Sequence, residues 1–472
     1  MYLEKIIFDN RAPFGHLEID FKNNGVNVIT AINGKGKTTI LSHIADAFYE
    51  LARPAYPQEF EGKENKLYRV SSPLYNITSS KPSIVYFRFK DGEDIYDYID
   101  IRGNCTKDQY DKIIDINGKI DFNSFTTQLS EQKFSKYWKV QNNDIRRKMF
   151  EQNVLTYFPS YRYELLAYLN DSYSNPLKYS IQSKFIGYLP NQIEVISDMN
   201  SFSNWLLDVL LDMKIGEKTQ FYQDDNKNVF PITIPAQENM LLNNLNIILS
   251  NTLSSKKYNG RVRYGIGKRN GGLARIAVMN DVDNEHHYQI CPSIFQLSSG
   301  ELALISIFGE IIHQADNNKN NMPLDKIKGI VLIDEIEKHL HITLQKEILP
   351  KMFALFPNVQ FIVSSHSPLV ISSVENTPEN IVYKLKYENG EYTHDVVKTY
   401  GMDASTIIST FMGQPIRAID VDKKISDIRM LVDEGNYAEA TAKLDQLKAE
   451  TGTDDPEFTQ LETMISFLEE ED

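Results

Sequence analysis

Residues 25–41 read GVNVITAINGKGKTTIL, and this stretch decides how the rest of the chain is interpreted. An apolar, β-branched run ends at Thr30 and predicts a buried strand. The loop that follows, residues 31–37, contains two glycines and two lysines and precedes Thr38 and Thr39. Apolar residues then recur at helical spacing. Strand, glycine-rich loop and helix in this order are typical of a phosphate-binding loop.

The loop ends in Gly36, Lys37 and Thr38, which match the last three positions of the pattern GxxxxGK[ST], whereas Ala31 replaces its first glycine. Glycines let backbone N–H groups approach a phosphate, and a helix N-terminus favours negative charge. Lys37 is then expected to bind the β- and γ-phosphates, and Thr38 to ligate Mg²⁺. The other interpretation is a glycine turn that only begins a helix. The candidate nucleotide-binding residues of the loop are Asn33, Gly34, Lys35, Gly36, Lys37, Thr38 and Thr39.

A second apolar run, residues 330–333, ends at Asp334 and Glu335. A buried strand that carries acids at its carboxyl end is expected at the ligand-binding edge of an open α/β sheet. Asp334 is predicted to hold Mg²⁺, and Glu335 to orient and polarise the attacking water. The alternative is a pair of helix-capping acids.

Two further motifs carry polar groups. Residues 297–301, LSSGE, open an apolar helix, so Ser298, Ser299 and Gly300 are candidates for an anion site at a helix N-terminus; the alternative is a serine N-cap. His366 follows the apolar run FIVSS, a position where an isolated histidine is usually structural.

Taken in chain order, these four motifs resemble those of the ATP-binding cassette ATPases. The resemblance implies an α/β fold with a parallel sheet at its core, and two chains that associate head to head around ATP and Mg²⁺. It further implies that Glu335, His366 and Lys37 act at the γ-phosphate within one protomer. The turn of Ser298, Ser299 and Gly300 would cap that phosphate from the other protomer.

About 260 residues separate Thr39 from Ser298. This long insertion resembles the SMC/RecF-like branch, while IDEIEKHLH and SSHSPLVISS look more like OLD-type and related bacterial defence ATPases. The chain resembles the ATPase subunits of anti-phage systems of the Septu and retron (PtuA) type, or of the PARIS type. That resemblance implies control of a separate nuclease subunit, of HNH or Toprim type. Ser299 and Glu301 depart from the family signature, which has Gly and Gln there.

The composition shifts along the chain predict four regions. Residues 1–104 form an ATPase lobe with the phosphate loop, and residues 105–280 a mostly helical insertion. Residues 281–402 form the second ATPase lobe, and residues 403–472 a helical tail. The tail is either a bundle packed on its own head or a docking and oligomerisation module.

The insertion ends in a basic segment, residues 256–275, in which lysines and arginines alternate with tyrosines. It predicts either a contact with DNA phosphates or a hairpin paired with the protein's own acids. The net charge of −14 argues against broad DNA coating. An ATP-gated DNA clamp of RecF-like function, and a nucleotide sensor with negligible turnover, are therefore kept as alternatives.

The composition, with 42% apolar and 24% charged residues, is that of an ordinary globular protein. We expect neither a signal peptide nor a membrane span, since no apolar run approaches about 20 residues. The two cysteines, Cys105 and Cys291, provide no disulfide framework, which favours the cytoplasm.

Overall fold

The computed structural model describes thirteen stretches of the chain. They are residues 1–32, 34–57, 77–126, 134–160, 198–215, 218–223, 229–234, 240–253, 260–270, 273–282, 287–317, 322–452 and 455–471. The chain divides into two compact units, Met1–Gly401 and Met402–Asp472.

The first sheet of unit 1 is antiparallel and five-stranded, in the order β2-β1-β4-β5-β6. Its strands are β1 (Tyr2–Arg11), β2 (Phe14–Asp20), β4 (Ser83–Asp91), β5 (Asp94–Arg102) and β6 (Phe134–Trp138). Apolar residues of β1 are buried, among them Ile6 and Phe8. They pack with aromatic residues of β4 into the main core of the unit.

The second sheet has six strands in the order β16-β15-β3-β14-β13-β7. Its strands are β3 (Gly25–Thr30), β7 (Val154–Phe158), β13 (Gly329–Ile333), β14 (Val359–Ser365), β15 (Ile381–Glu388) and β16 (Glu391–Val397). All neighbours run parallel except the hairpin β15–β16. Every residue of β3, β13 and β14 is buried, as expected for parallel strands covered on both faces.

Helix α1 (Lys37–Ala55) follows β3 directly, and its apolar residues belong to the same core as both sheets. The other helices of unit 1 are α2 (Lys107–Ile113), α3 (Asn143–Gln152), α4 (Asp198–Ile215), α5 (Met240–Thr252), α6 (Ser299–Asn317), α7 (Ile342–Leu355) and α8 (Pro368–Ser372). Helix α6 packs on α4 and α5. The predicted α/β fold with a parallel sheet core is confirmed.

The described part of the insertion, predicted as mostly helical, contains strands as well as helices. Helices α4 and α5 are where the sequence predicts helices, but strands alternate with them. These are β8 (Lys218–Gln223), β9 (Val229–Ile234), β10 (Arg261–Asn270) and β11 (Leu273–Asp281). Strand β12 (His287–Cys291) follows in the region predicted as the second ATPase lobe. Strands β6 and β7, inside residues 105–280, pair with β5 and β13 and so extend the two ATPase sheets. Short runs such as VLTYF give too few residues for a helical or strand period to be recognised.

Unit 2 contains a short helical segment at residues 404–411 and three helices. The helices are α9 (Ile419–Asp433), α10 (Tyr437–Thr451) and α11 (Pro456–Glu471). Their apolar stripes meet in a core of their own, which includes Ile428, Leu444 and Leu461. Among the described helices of the chain, none is long and apolar enough to cross a membrane.

Candidate nucleotide-binding site

Three parallel strands end side by side and bring the predicted motifs to one edge of the six-stranded sheet. Thr30 at the end of β3 lies opposite Ser365 at the end of β14. Ile333, the last residue of β13, lies opposite Val363 of the same neighbour. The phosphate loop, the Asp334-Glu335 pair and His366 therefore leave the sheet at the same edge, where ligands of open α/β sheets bind.

The phosphate loop adopts a backbone conformation that requires its glycines. Gly34 and Gly36 have φ values of +80° and +89°. Gly36 is the N-cap of α1, and a Cβ built on it would lie 2.4 Å from Phe14 Cζ. Phe14 begins β2, so the β1–β2 turn packs directly against the loop and leaves no space for a side chain at Gly36.

Lys37 is the first residue of α1 and is 5% exposed. Its ammonium donates a hydrogen bond to the backbone oxygen of Ala31, 3.1 Å away, across the loop. Burial lowers the pKa of Lys37 to about 8, while the carboxylates of Asp334, Glu337 and Glu335 act in the opposite direction. The ammonium is thus partly desolvated, hydrogen-bonded to the loop backbone and stabilised by the charges of three nearby carboxylates.

Thr38 and Asp334, the two predicted metal ligands, are in contact. The Thr38 hydroxyl lies 2.8 Å from one carboxylate oxygen of Asp334 and 3.1 Å from the other. Asp334 is fully buried, and the Ser364 hydroxyl donates a second hydrogen bond to it at 2.6 Å. Mg²⁺ is held by one or two carboxylates together with substrate phosphates, and this hydroxyl–carboxylate pair fits that requirement. Within the described residues there is no larger cluster of His, Cys, Asp and Glu that could hold a metal.

Glu335 lies next to this pair with an unusual backbone. Its φ is +49°, a left-handed conformation that costs about 1–3 kcal/mol in a residue with a side chain. The backbone N–H of Glu335 donates to Ser364 Oγ at 2.8 Å, which fixes the turn after β13. Its carboxylate accepts from Lys338 at 3.3 Å and remains 36% exposed. The side chain is therefore accessible to a water molecule at the sheet edge.

His366, which follows β14, and Glu337, in the turn after β13, are hydrogen-bonded to each other. The backbone N–H of His366 donates to Glu337 Oε1 at 2.7 Å. Burial, and secondarily the charge of Lys37, lowers the pKa of His366, so its ring is neutral near pH 7. The other carboxylate oxygen of Glu337, Oε2, is buried and has no hydrogen-bond partner in the structure. Glu337 is thus a third acid beside Lys37, in addition to the two that the sequence singles out.

Two polar residues of this cluster, Glu337 and Ser364, were missed by the sequence reasoning. Each has a signal that could have found it. Glu337 is the second acid of an E-x-E sequence, and Ser364 is the first of two serines before His366. Their roles depend on the register between β13 and β14, which a single sequence does not provide.

The serine turn begins α6. Ser298 and Glu301 form a reciprocal capping box, in which the Ser298 backbone N–H and hydroxyl donate to Glu301 at 2.9 and 2.8 Å. Ser298 and Ser299 are exposed, whereas Gly300 is buried, and a Cβ on Gly300 would lie 3.2 Å from His339 O. The serine N-cap that the sequence offers as an alternative is therefore present, and two hydroxyl-bearing residues also face outward.

The remaining predicted site residues that the structure describes, Thr39 and Lys35, are not part of the cluster around Asp334. Thr39 is buried at the start of α1, and Lys35 lies over the ring of Tyr387 with its ammonium 4.6 Å from the ring centroid. Asn33 lies outside the described residues.

Residues 256–259, 271 and 272 of the basic segment are also outside the described residues. Within its described part, Arg263 is paired with Asp281 and Arg261 is exposed. The pairing of Arg263 is what the hairpin interpretation predicts for that residue, and contact with DNA stays a prediction.

A family model described as "AAA domain, putative AbiEii toxin, Type IV TA system" matches residues 26–372. The Retron Vc95 probable ATPase of Vibrio cholerae serotype O1 biovar El Tor is 25% identical over 418 residues, covering 82% of this chain and 74% of that protein.

Two further relatives match over shorter stretches. The Retron Ec83 probable ATPase of Escherichia coli is 31% identical over 186 residues, which is 39% of this chain and 32% of that protein. The Septu protein PtuA of Bacillus mycoides (strain KBAB4) is 38% identical over 73 residues, or 16% of this chain and 10% of that protein. This chain therefore spans only a minor part of the length of these two relatives.

Among solved structures, the SMC head domain from Thermotoga maritima superposes with a TM-score of 0.41 at 12% identity, covering 84% of this chain and 100% of that chain. An SmcHead bound to the C-winged helix domain of ScpA gives a TM-score of 0.43 at 13% identity, covering 84% and 98%.

Proposed function

The chain belongs to the family described as "AAA domain, putative AbiEii toxin, Type IV TA system", and on this premise we propose that it is an ATPase of bacterial phage defence. It binds ATP with Mg²⁺, associates with a second copy around the nucleotide, and controls a separate nuclease subunit in the cytoplasm. The observation that carries the proposal is the contact between Thr38 and the buried Asp334, beside the buried ammonium of Lys37. The similarity to retron probable ATPases and to Septu PtuA supports the assignment to defence.

The residues divide the work of binding as follows. The backbone N–H groups of the loop and the N-terminus of α1 bind the phosphates, and the Lys37 ammonium binds the β- and γ-phosphate oxygens. Thr38 and Asp334 would hold Mg²⁺, which would neutralise part of the negative charge of the triphosphate. Because Lys37 already donates to Ala31 across the loop, its ammonium is held close to where the phosphates bind.

Hydrolysis depends on Glu335, the acidic residue beside this site. Glu335 accepts a proton from a water molecule as the water oxygen attacks the γ-phosphorus, and the bond to the bridging oxygen of ADP breaks. The products are ADP and inorganic phosphate. His366, neutral near pH 7, donates a hydrogen bond to a γ-phosphate oxygen.

Association places the serine turn of a second copy on the same phosphate. Ser298 and Ser299 are exposed at the start of α6, where the helix dipole favours an anion. A γ-phosphate held in this way joins two chains, so ATP binding and hydrolysis change how the chains associate. This change is the signal that a bound nuclease subunit receives.

The proposal is tested first with the purified chain, by ATP hydrolysis in the presence of Mg²⁺. Lys37→Ala should abolish ATP binding, and Glu335→Gln should keep binding but lose most turnover. Lys326, which is 66% exposed, gives a matched control, and Lys326→Ala should leave both unchanged. If Glu335→Gln hydrolyses ATP as fast as the wild type, the assignment of Glu335 is wrong.

The nuclease is tested by co-expressing the tagged full chain with the products of its neighbouring genes. We expect a co-purifying subunit that cleaves nucleic acid, with a cleavage rate that differs between wild type and Lys37→Ala. If no neighbouring gene encodes a nuclease and none co-purifies, control of a nuclease partner is excluded.

A further inference from the structure

The exposed tyrosine beside the phosphate loop has no role in the function proposed above. Tyr387 lies near the end of β15, where its side chain is 48% exposed. Strand β15 runs parallel to β3, with Lys384 opposite Thr30 at the end of β3. Tyr387 is three residues further on, about 10 Å past the end of β3 at strand spacing. Tyr387 therefore lies beside the loop that follows β3.

Contacts tie Tyr387 to this loop from two sides. The Lys35 ammonium of the loop lies 4.6 Å from the centroid of the Tyr387 ring. The ring also contacts Tyr392, with centroids 4.7 Å apart, and Tyr392 contacts Phe14 edge-on at 5.0 Å. Phe14 in turn packs against Gly36. A continuous row of aromatic rings therefore runs from the phosphate loop to Tyr387.

We propose that Tyr387 is the platform on which the base of the bound nucleoside triphosphate stacks. This rests on the proposed function, because it takes residues 34–38 as the site of the phosphates. When the phosphates of a nucleotide lie on the loop, the ribose separates its base from the loop. The ring is within reach of the Lys35 side chain from the same loop, and it offers the half-exposed π-surface that a base needs.

Lys35 links phosphate binding to this platform. An ammonium over an exposed ring is held weakly, whereas a phosphate oxygen binds it through a charge-assisted hydrogen bond. A triphosphate on the loop therefore draws Lys35 away from Tyr387 and uncovers the ring face for the base. Ring stacking does not read the hydrogen-bonding edge of a base, so the site should prefer large purine rings over pyrimidines without separating ATP from GTP.

The test compares ligands with and without a base. The affinities of ATP, GTP, CTP and inorganic tripolyphosphate are measured by titration calorimetry with Mg²⁺ for the wild type and variants. Tyr387→Ala should weaken ATP and GTP roughly tenfold and leave tripolyphosphate unchanged, because stacking is the interaction lost. Tyr387→Phe keeps the π-face and should behave as wild type. Lys35→Gln should weaken all four ligands by the same factor.

Tyr400, which is 52% exposed, supplies a matched control, and Tyr400→Ala should change no affinity. The proposal is overturned if Tyr387→Ala leaves ATP affinity intact, or weakens tripolyphosphate as much as ATP, which would make Tyr387 a support of the loop. Lys37→Ala in the same titrations tests the proposed function separately. Loss of all four ligands in that variant supports the phosphate site whichever way Tyr387 behaves.

Discussion

Lys37 is a charged group held in a site that disfavours its charge. Burial is the main cause of its lowered pKa of about 8, and the nearby acids only partly offset it. A bound triphosphate stabilises the ammonium, so nucleotide binding and protonation of Lys37 are linked. The ammonium is present below about pH 8 and is lost as the pH rises through that value.

We therefore predict that ATP affinity declines above pH 8, by about tenfold per pH unit at most. Calorimetry at pH 7.5 and pH 9.5 in buffers of different ionisation enthalpy measures both the affinity and the protons taken up on binding. Proton uptake should be small at pH 7.5 and approach one proton at the higher pH. An affinity that is constant over this range, with no proton uptake, contradicts the lowered pKa of Lys37.

Glu337 leads to a second prediction at the residue scale. One oxygen accepts from the His366 backbone, and the other is buried without a hydrogen-bond partner, a state that natural proteins rarely keep without a role. Its charge raises the pKa of both Lys37 and His366. Glu337→Gln should therefore lower kcat roughly tenfold with little loss of ATP binding, as expected for a positioning residue.

The pH profile separates this role from a purely structural one. Removing the charge of Glu337 should move the decline in ATP affinity to lower pH, because Lys37 loses a group that stabilises its ammonium. Glu347→Gln, on the surface of α7, is the control and should shift nothing. A Glu337→Gln variant with the wild-type profile would show that its charge does not act on Lys37.

At the scale of single elements, the start of α1 shows why two glycines of one loop differ. Both have positive φ, but only at Gly36 would a Cβ overlap a neighbour, the ring of Phe14. Gly34 has no atom within 4 Å of such a Cβ. Left-handed backbone costs a residue with a side chain about 1–2 kcal/mol, and overpacking adds about 1–3 kcal/mol.

Gly34→Ala should therefore lower the free energy of unfolding by about 1 kcal/mol, and Gly36→Ala by roughly 3 kcal/mol. The difference between the variants is measured by thermal and urea denaturation. In a double-mutant cycle, Gly36→Ala should cost less unfolding free energy in a Phe14→Ala background than in the wild type. The cost of Gly34→Ala should be the same in both backgrounds. Equal destabilisation by the two single variants would show that the Phe14 contact does not matter.

How far the sequence predicts these elements depends on the length of each pattern. The strand, loop and helix of residues 25–55 carry apolar runs and glycines that leave few alternatives, and the helices α4 and α5 are long and apolar. Strands β6 and β7 are five residues each, too short for a period, and they join their sheets only through pairing with distant partners. The cluster at the sheet edge is predictable as far as its members end apolar strands. Glu337 and Tyr387 enter it through register and hairpin geometry, which single-sequence patterns do not contain.

For the whole molecule, the proposed site is built from two copies of the chain. Lys37 is buried beside Asp334, while Ser298 and Ser299 face outward at the start of α6. Two variants that are each inactive, one altered at Lys37 and one at the serine turn, should then recover ATPase activity when they are mixed. Lys37→Ala removes the phosphate ligand of one chain. Ser299→Glu repels the γ-phosphate of the other, while its charge at a helix N-terminus preserves the fold.

Each variant alone should have no ATPase activity, and an equal mixture should recover about a quarter of the wild-type rate, because half of the pairs are mixed and each mixed pair has one intact site of two. The rate is measured after the two chains have been mixed and re-equilibrated with ATP and Mg²⁺. Mixing either variant with more of itself is the control. If the mixture stays inactive while both variants still associate, the serine turn serves its own chain and the shared site is wrong. If Ser299→Glu alone hydrolyses ATP normally, the turn does not contact the γ-phosphate from either chain.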